Sequence, residues 1–182
     1  MSTEAAAAGG LRAPGSPASG GIRRPPGSRG RKDGGFAMVF EEMSVGQSFR
    51  SSGRTVTEAE IILFAHTYDP QTMHLDTESS AQGPFAGLIA SGFLTLNLAW
   101  WLFLRLGLVQ ESMYVGLGLD RLRWLKPVRP GDTLTLTVVV EAKGEVRRGR
   151  GLVTFAHTLA NQAGDPVMTY ASLNLIRTGG TA

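Results

Sequence analysis

The chain has 182 residues, 42% hydrophobic and 18% charged, a composition that suits one folded domain of ordinary size. It contains no cysteine, which excludes disulfide frameworks, thiolate metal sites, iron–sulfur clusters and cysteine nucleophiles; three histidines leave little for an all-histidine metal centre. The formal charge of +3 is uneven: residues 1–35 carry Arg12, Arg23, Arg24, Arg29, Arg31 and Lys32 against Glu4 and Asp33, so residues 36–182 are near neutral and offer no domain-wide nucleic-acid surface.

Residues 1–35 draw 23 positions from Ala, Gly, Pro and Ser, with Leu11 and Ile22 as their large aliphatic side chains. Such a stretch cannot bury enough surface to offset the entropy of ordering it, so a disordered basic leader is expected. An arm that touches polyanions and an Arg-rich transit peptide are the rival readings, and no apolar run of a secretory signal is present. The absence of cysteine fits a reducing, cytoplasmic setting. One domain is expected over residues 36–182.

From Phe36 the pattern changes. Residues 47–56 read as a short strand broken at Ser52-Gly53. Thr57 and Glu60 have the spacing of a capping box, Thr57 as N-cap and Glu60 as its reciprocal partner. The helix runs through Ile61, Ile62, Leu63, Phe64 and Ala65, and Pro70 ends it. Residues 79–104 hold no formal charge, and 84–104 is long enough to cross a bilayer. Gly83, Pro84, Gly87, Ser91, Gly92, Thr95 and Asn97 interrupt that run, however, and a helix apolar on all sides is also one enclosed by protein. Trp100 and Trp101 are placed in the core, the alternative for one of them being the wall of an acyl tunnel.

Residues 113–177 are nearly all strand signal. Leu134, Leu136, Val138 and Val140 alternate with Thr133, Thr135, Thr137 and Val139, the two-residue period of a half-buried strand. Segments 113–125, 151–162 and 166–177 read alike, separated by Pro130-Gly131-Asp132, Lys143-Gly144 and Ala163-Gly164-Asp165. The apolar phase shifts near Asp120, which predicts a bulge there. One apolar helix followed by four antiparallel strands gives an α+β class, with a sheet wrapped around a helix.

Asp69 breaks a local rule. It stands at the C-terminal end of a helix, where the dipole disfavours an anion by roughly 0.3–1 kcal/mol, and such violations are where function tends to lie. His74 follows five residues on, then Leu75 and Asp76, the latter placed as N-cap of the next short helix. A turn containing Pro70 can bring carboxylate and imidazole to one point, the equipment for positioning a water. His66, inside the first helix, reads as a packing or surface residue. His157 shares a strand face with Val153, Phe155 and Leu159 and reads as a half-buried, satisfied side chain.

Three segments occur in one order: Tyr68-Asp69-Pro70-Gln71-Thr72-Met73-His74-Leu75-Asp76, Gly87-Leu88-Ile89-Ala90-Ser91-Gly92, and Trp124-Leu125-Lys126-Pro127-Val128-Arg129-Pro130-Gly131-Asp132. Together they resemble the MaoC-like (R)-specific enoyl-CoA hydratases, a hot-dog family, over about residues 40–177. The resemblance implies a hot-dog domain and reversible syn addition of water to a trans-2-enoyl thioester, giving an (R)-3-hydroxyacyl thioester. Asp69 and His74 match the family's water-activating pair, and Gly92 matches its oxyanion donor, a backbone N–H at the start of the central helix. That last role has independent sense, because a helix N-terminus offers unpaired N–H groups and partial positive charge to a developing enolate.

Gln71 is expected to contact substrate, and Ser91 to act first as helix N-cap and second as a substrate contact. The chain departs from the family turn Asp-x-Asn-Pro-x-His, since Gln71 and Thr72 replace Asn-Pro and the proline has moved to position 70. Ser91 stands where many members have histidine. Arg121, Arg123, Lys126 and Arg129 are weighed between coenzyme A phosphate contacts and a solvated strand end. The partners implied are an acyl-CoA or acyl-carrier-protein thioester and further copies of the chain, as a homodimer or higher homo-oligomer, with no nucleic acid, membrane, metal or separate cofactor; coenzyme A enters as part of the substrate. A hot-dog acyl-CoA thioesterase and a catalytically idle acyl-thioester-binding subunit are the alternatives.

Overall fold

The strand signals of the C-terminal half become four long strands in the computed structural model, which describes residues 37–180; the leader expected over 1–35 lies outside the described residues. In chain order the elements are β1 (Ser48–Arg50), β2 (Arg54–Thr55), α1 (Glu58–Tyr68), α2 (Thr72–Leu75), α3 (Thr77–Ala81), α4 (Gly92–Arg105), β3 (Met113–Trp124), β4 (Thr133–Arg147), β5 (Arg150–Ala160) and β6 (Pro166–Arg177). The sheet runs β1-β4-β5-β6-β3, antiparallel throughout, with β2 also paired to β4.

The alternation of β4 works as its sequence implies. Leu134, Leu136, Val138 and Val140 are buried on one face, joined there by Val153, Phe155 and Leu159 of β5 and by Met168 and Ile176 of β6. α4 lies on that face and buries Leu94, Leu98, Ala99, Leu102 and Phe103. The uncharged run of residues 79–104 is therefore divided: an irregular lead-in, then a helix of 14 residues. Among the described residues no helix is long and apolar enough to cross a membrane.

Several local expectations are corrected. Thr57 does cap α1, its hydroxyl accepting from the Glu60 N–H at 3.2 Å, but the Glu60 carboxylate turns to Arg54 at 2.5 Å instead of closing the box. An ion pair to β2 competes successfully with the weak reciprocal bond. Trp101 is not core: it is 45% exposed, with the Arg54 guanidinium 4.5 Å above its ring. Lys143-Gly144 does not end a strand. β4 passes through it with a register shift, and the hairpin turns at Arg148-Gly149, whose φ angles of 51° and 69° fit a two-residue turn of the primed type. The bulge near Asp120 is present as a register shift between Asp120 and Arg123, with Arg121 at φ 54°.

His157 differs from expectation in degree. It is fully buried beneath α4, stacked on Tyr170 at 4.2 Å with Nε2 2.8 Å from the Ser172 hydroxyl. Among the described residues its Nδ1 and the Tyr170 hydroxyl find no hydrogen-bond partner. Burial pushes the imidazole down to about 3, so the ring is neutral in the folded protein.

One end of the molecule is tied together by the turn between β3 and β4. The Arg129 N–H donates to the Asp132 carboxylate at 2.8 Å, while the Arg129 guanidinium donates to the Phe85 carbonyl at 2.5 Å. The Ala90 N–H donates to the Val128 carbonyl at 2.8 Å, and the Ile89 N–H to the Met73 carbonyl at 3.1 Å. The segment leading into α4 is thus held between α2 and the Lys126-to-Asp132 turn, which fixes where α4 begins.

Candidate active site

Asp69 caps the C-terminus of α1, its N–H donating to the Ala65 carbonyl at 3.0 Å. Pro70 then turns the chain, and the single helical turn of α2 carries His74 back toward Asp69. Asp76 caps α3 as expected, accepting from the Ser79 N–H at 2.9 Å. His74 is buried, with Nδ1 2.8 Å from the Ile89 carbonyl. A carbonyl can only accept, so Nδ1 carries the proton and the neutral ring presents a lone pair at Nε2.

That Nε2 lies 3.5 Å from Asp69 Oδ2. In the neutral ring neither atom donates to the other, so the pair offers two adjacent acceptors, which a water can satisfy with its two hydrogens. The carboxylate is itself held by two donors. Ser91 Oγ donates to Oδ2 at 2.5 Å and Gln71 Nε2 to Oδ1 at 2.7 Å. The Ser91 bond first, then the Gln71 bond, hold the carboxyl below the usual carboxylate range, against the opposing desolvation. Asp69 is therefore ionised at neutral pH.

Ser91 is the N-cap of α4, its hydroxyl oxygen accepting from the Phe93 N–H at 3.2 Å. It is completely buried, and its hydroxyl is engaged on both sides. Gly92 begins the helix, so its N–H has no acceptor within α4 and stands at the positive end of the helix dipole. Glycine is required there by packing: a Cβ would fall 2.6 Å from the Trp124 indole, whose Nε1 donates to the Gly92 carbonyl at 2.9 Å. The start of α4 is thereby pinned to the end of β3.

The structure brings Asp69, Gln71, His74, Ser91 and Gly92 to one place. His66 is on the exposed side of α1, and His157 belongs to the core. Two participants escaped the sequence reading. The Ile89 carbonyl, which fixes the His74 tautomer, leaves no trace in residue type. Trp124 heads the Lys-Pro-Val-Arg-Pro-Gly-Asp turn and could have been singled out as its aromatic neighbour. Of the basic residues weighed as phosphate contacts, Arg121 pairs with Glu141, Lys126 with Asp165 at 3.0 Å, and Arg129 with the Phe85 carbonyl.

Residues 40–161 match the family model for the MaoC like domain. The chain belongs to the MaoC-like family. Its relatives include the 3-hydroxyacyl-thioester dehydratase Z of Mycobacterium tuberculosis, 32% identical over 114 residues that make up 58% of this chain and 71% of the relative. Among solved structures, a MaoC-like dehydratase from Rhodospirillum rubrum superposes with a TM-score of 0.74 at 32% identity, covering 79% of this chain and 99% of the other. An (R)-hydratase from Pseudomonas aeruginosa superposes with a TM-score of 0.64 at 27% identity, covering 77% and 86%. The sheet around α4 is accordingly a hot-dog domain, and the family to which the chain belongs is one of MaoC-like dehydratases.

Proposed function

We propose that this MaoC-like protein adds water reversibly to trans-2-enoyl thioesters, giving (R)-3-hydroxyacyl thioesters. The observation that carries the reading is the 3.5 Å pair of His74 Nε2 and Asp69 Oδ2 beside the first N–H of α4. A water held by the pair is aimed at C3 as His74 takes a proton. The thioester carbonyl, bound at the Gly92 N–H, gains negative charge, and electrostatic stabilisation of that kind is a large part of the barrier reduction in such steps. The proton then returns to C2 from the same face, so addition is syn. Atoms balance: hydroxide goes to C3 and a proton to C2. Coenzyme A or an acyl carrier protein enters as the substrate's carrier, and the reaction as written draws on no further cofactor.

The names borne by the relatives, an acyl-thioester dehydratase and an (R)-hydratase, favour this class of substrate. A thioesterase would direct the same water at C1. The test is to incubate the protein with trans-2-butenoyl-CoA, follow loss of the conjugated enoyl absorbance, resolve the product on a chiral column and assay free thiol in parallel. Hydration to the (R) product without thiol release is expected; thiol release without hydration overturns the reading.

A homodimer is part of the same proposal. Among the described residues β3 is an edge strand, paired on one side to β6, and it exposes Tyr114, Val115, Leu117 and Leu119. An apolar edge with unpaired backbone groups invites a second strand, and a two-fold copy of β3 supplies one. Sedimentation at micromolar concentration should give twice the chain mass, and a Leu117→Lys, Leu119→Lys double variant should dissociate. An active monomer would contradict this.

A further inference from the structure

The chain departs from the family pattern both in the turn around Gln71 and at Ser91, and in the folded protein both of these residues touch the same carboxylate. Ser91 Oγ reaches Asp69 Oδ2 at 2.5 Å, and Gln71 Nε2 reaches Oδ1 at 2.7 Å. Ser91 comes from the start of α4 and Gln71 from the turn between α1 and α2, so the two donors approach Asp69 from different elements. We propose that Ser91 and Gln71 are positioning residues that clamp Asp69, with Ser91 setting the distance between the water-activating pair and the oxyanion donor.

The proposal rests on the hydratase reading. Ser91 is suited to this because a single oxygen makes two bonds of opposite sense. It accepts from the Phe93 N–H and donates to Asp69, directly before Gly92. The carboxylate and the Gly92 N–H are then two sides of one rigid corner. A water on Asp69 and a carbonyl on Gly92 must sit a fixed distance apart to meet C3 and C1 of the same enoyl group, and misplacement of such groups by about 1 Å costs about 10²-fold. A serine with no exposed surface and both hydrogen-bonding directions used has little left to offer a substrate directly. His74 is the titratable group that faces Asp69, at 3.5 Å, while Ser91 and Gln71 are neutral and hold the anion by hydrogen bonds.

The decisive variant is Ser91→Gly, because glycine is nearly as good an N-cap as serine whereas alanine is not. It removes the Asp69 bond and leaves the start of α4 in place. Loss of a hydrogen bond to a charged group predicts a fall in kcat of about ten- to a hundredfold with KM little changed. The acid limb of the pH–rate profile should also move to higher pH, since Asp69 loses its strongest stabilising bond and takes a proton more easily. Ser91→Thr keeps the hydroxyl and should recover part of kcat and return the acid limb. Gln71→Leu should give a smaller loss in the same direction. Thermal melting checks that each variant is folded.

If Ser91→Gly retains the parent kcat and acid limb, the clamp is wrong while the hydratase reading stands. If Ser91→Gly raises KM alone, Ser91 is a substrate contact and the clamp is again wrong. If the parent protein does not hydrate enoyl thioesters at all, the underlying reading has failed first.

Discussion

Asp69→Asn and His74→Gln are each expected to abolish most hydration, and the double variant is expected to be hardly slower than the poorer single one. A positioned general acid or base contributes roughly 10²–10⁴-fold. In the proposed reaction the two groups, 3.5 Å apart, act on one water, so removing either should leave the other with nothing to orient, and their losses should be non-additive. Asn at 69 keeps an oxygen for the Ser91 hydroxyl to donate to, and the local fold is expected to survive. It loses the charge that makes the water's oxygen the better nucleophile. Gln at 74 can still donate to the Ile89 carbonyl but has no basic nitrogen. The comparison variant is His66→Gln on the exposed side of α1, which should keep the parent rate. Steady-state kinetics on the four proteins, with circular dichroism for each, measures this. An Asp69→Asn protein that retains most of its rate would remove Asp69 from the mechanism.

Acidification is expected to unfold the protein in a window set by His157. Buried beneath α4, its imidazole is held down to about 3, against an ordinary value of 6.5. The unfolded chain therefore binds a proton below pH 6.5 that the folded protein refuses until about pH 3, and stability falls as pH falls between those limits. The slope is about 1.4 kcal/mol per pH unit, so moving from pH 7 to pH 5 costs about 2 kcal/mol from this residue alone. For a domain of this size that is a drop in Tm of roughly 4–8 °C. His157→Phe keeps an aromatic ring against Tyr170 and Phe103 and has no proton to refuse. It should start less stable at pH 7, because Ser172 loses a partner, yet decline less between pH 7 and pH 5. Melting curves across that range test it, and an equal slope in both proteins would assign the acid lability elsewhere.

The degree to which the sequence displayed this molecule varies with the kind of interaction. β4 was legible because its buried face is made by one strand's own alternation, Leu134 to Val140, and a period of two is a local property. Thr57, Asp76 and Ser91 as helix caps were legible for the same reason: a cap is a bond to a backbone N–H two or three residues away. The end of β4 was not legible. Gly144 looks like punctuation, but pairing with β5 carries the strand past it, and pairing is not a local property. Glu60 and Trp101 were misplaced by one residue, Arg54, which reaches both from β2.

The site shows the same division. The meeting of Asp69 and His74 across a proline turn was legible in their spacing, and so was Gly92 as the start of a helix behind a serine cap. The hydrogen bond from Ser91 to Asp69 was not legible, since the two lie 22 positions apart and meet only where the end of α1 comes to the start of α4. Nor did the Trp124 bond to the Gly92 carbonyl, which spans 32 positions.

The central claim is that one water, held by Asp69 and His74, is added from a single face of the substrate. Hydration of trans-2-butenoyl-CoA in D2O measures it directly, because the deuteron placed at C2 and the hydroxyl placed at C3 record the faces used. The proton coupling between C2 and C3 in the product distinguishes the two diastereomers. Deuterium at C2 on the same face as the new hydroxyl, in an (R)-configured product, is the predicted result. A product with the two groups on opposite faces would contradict it.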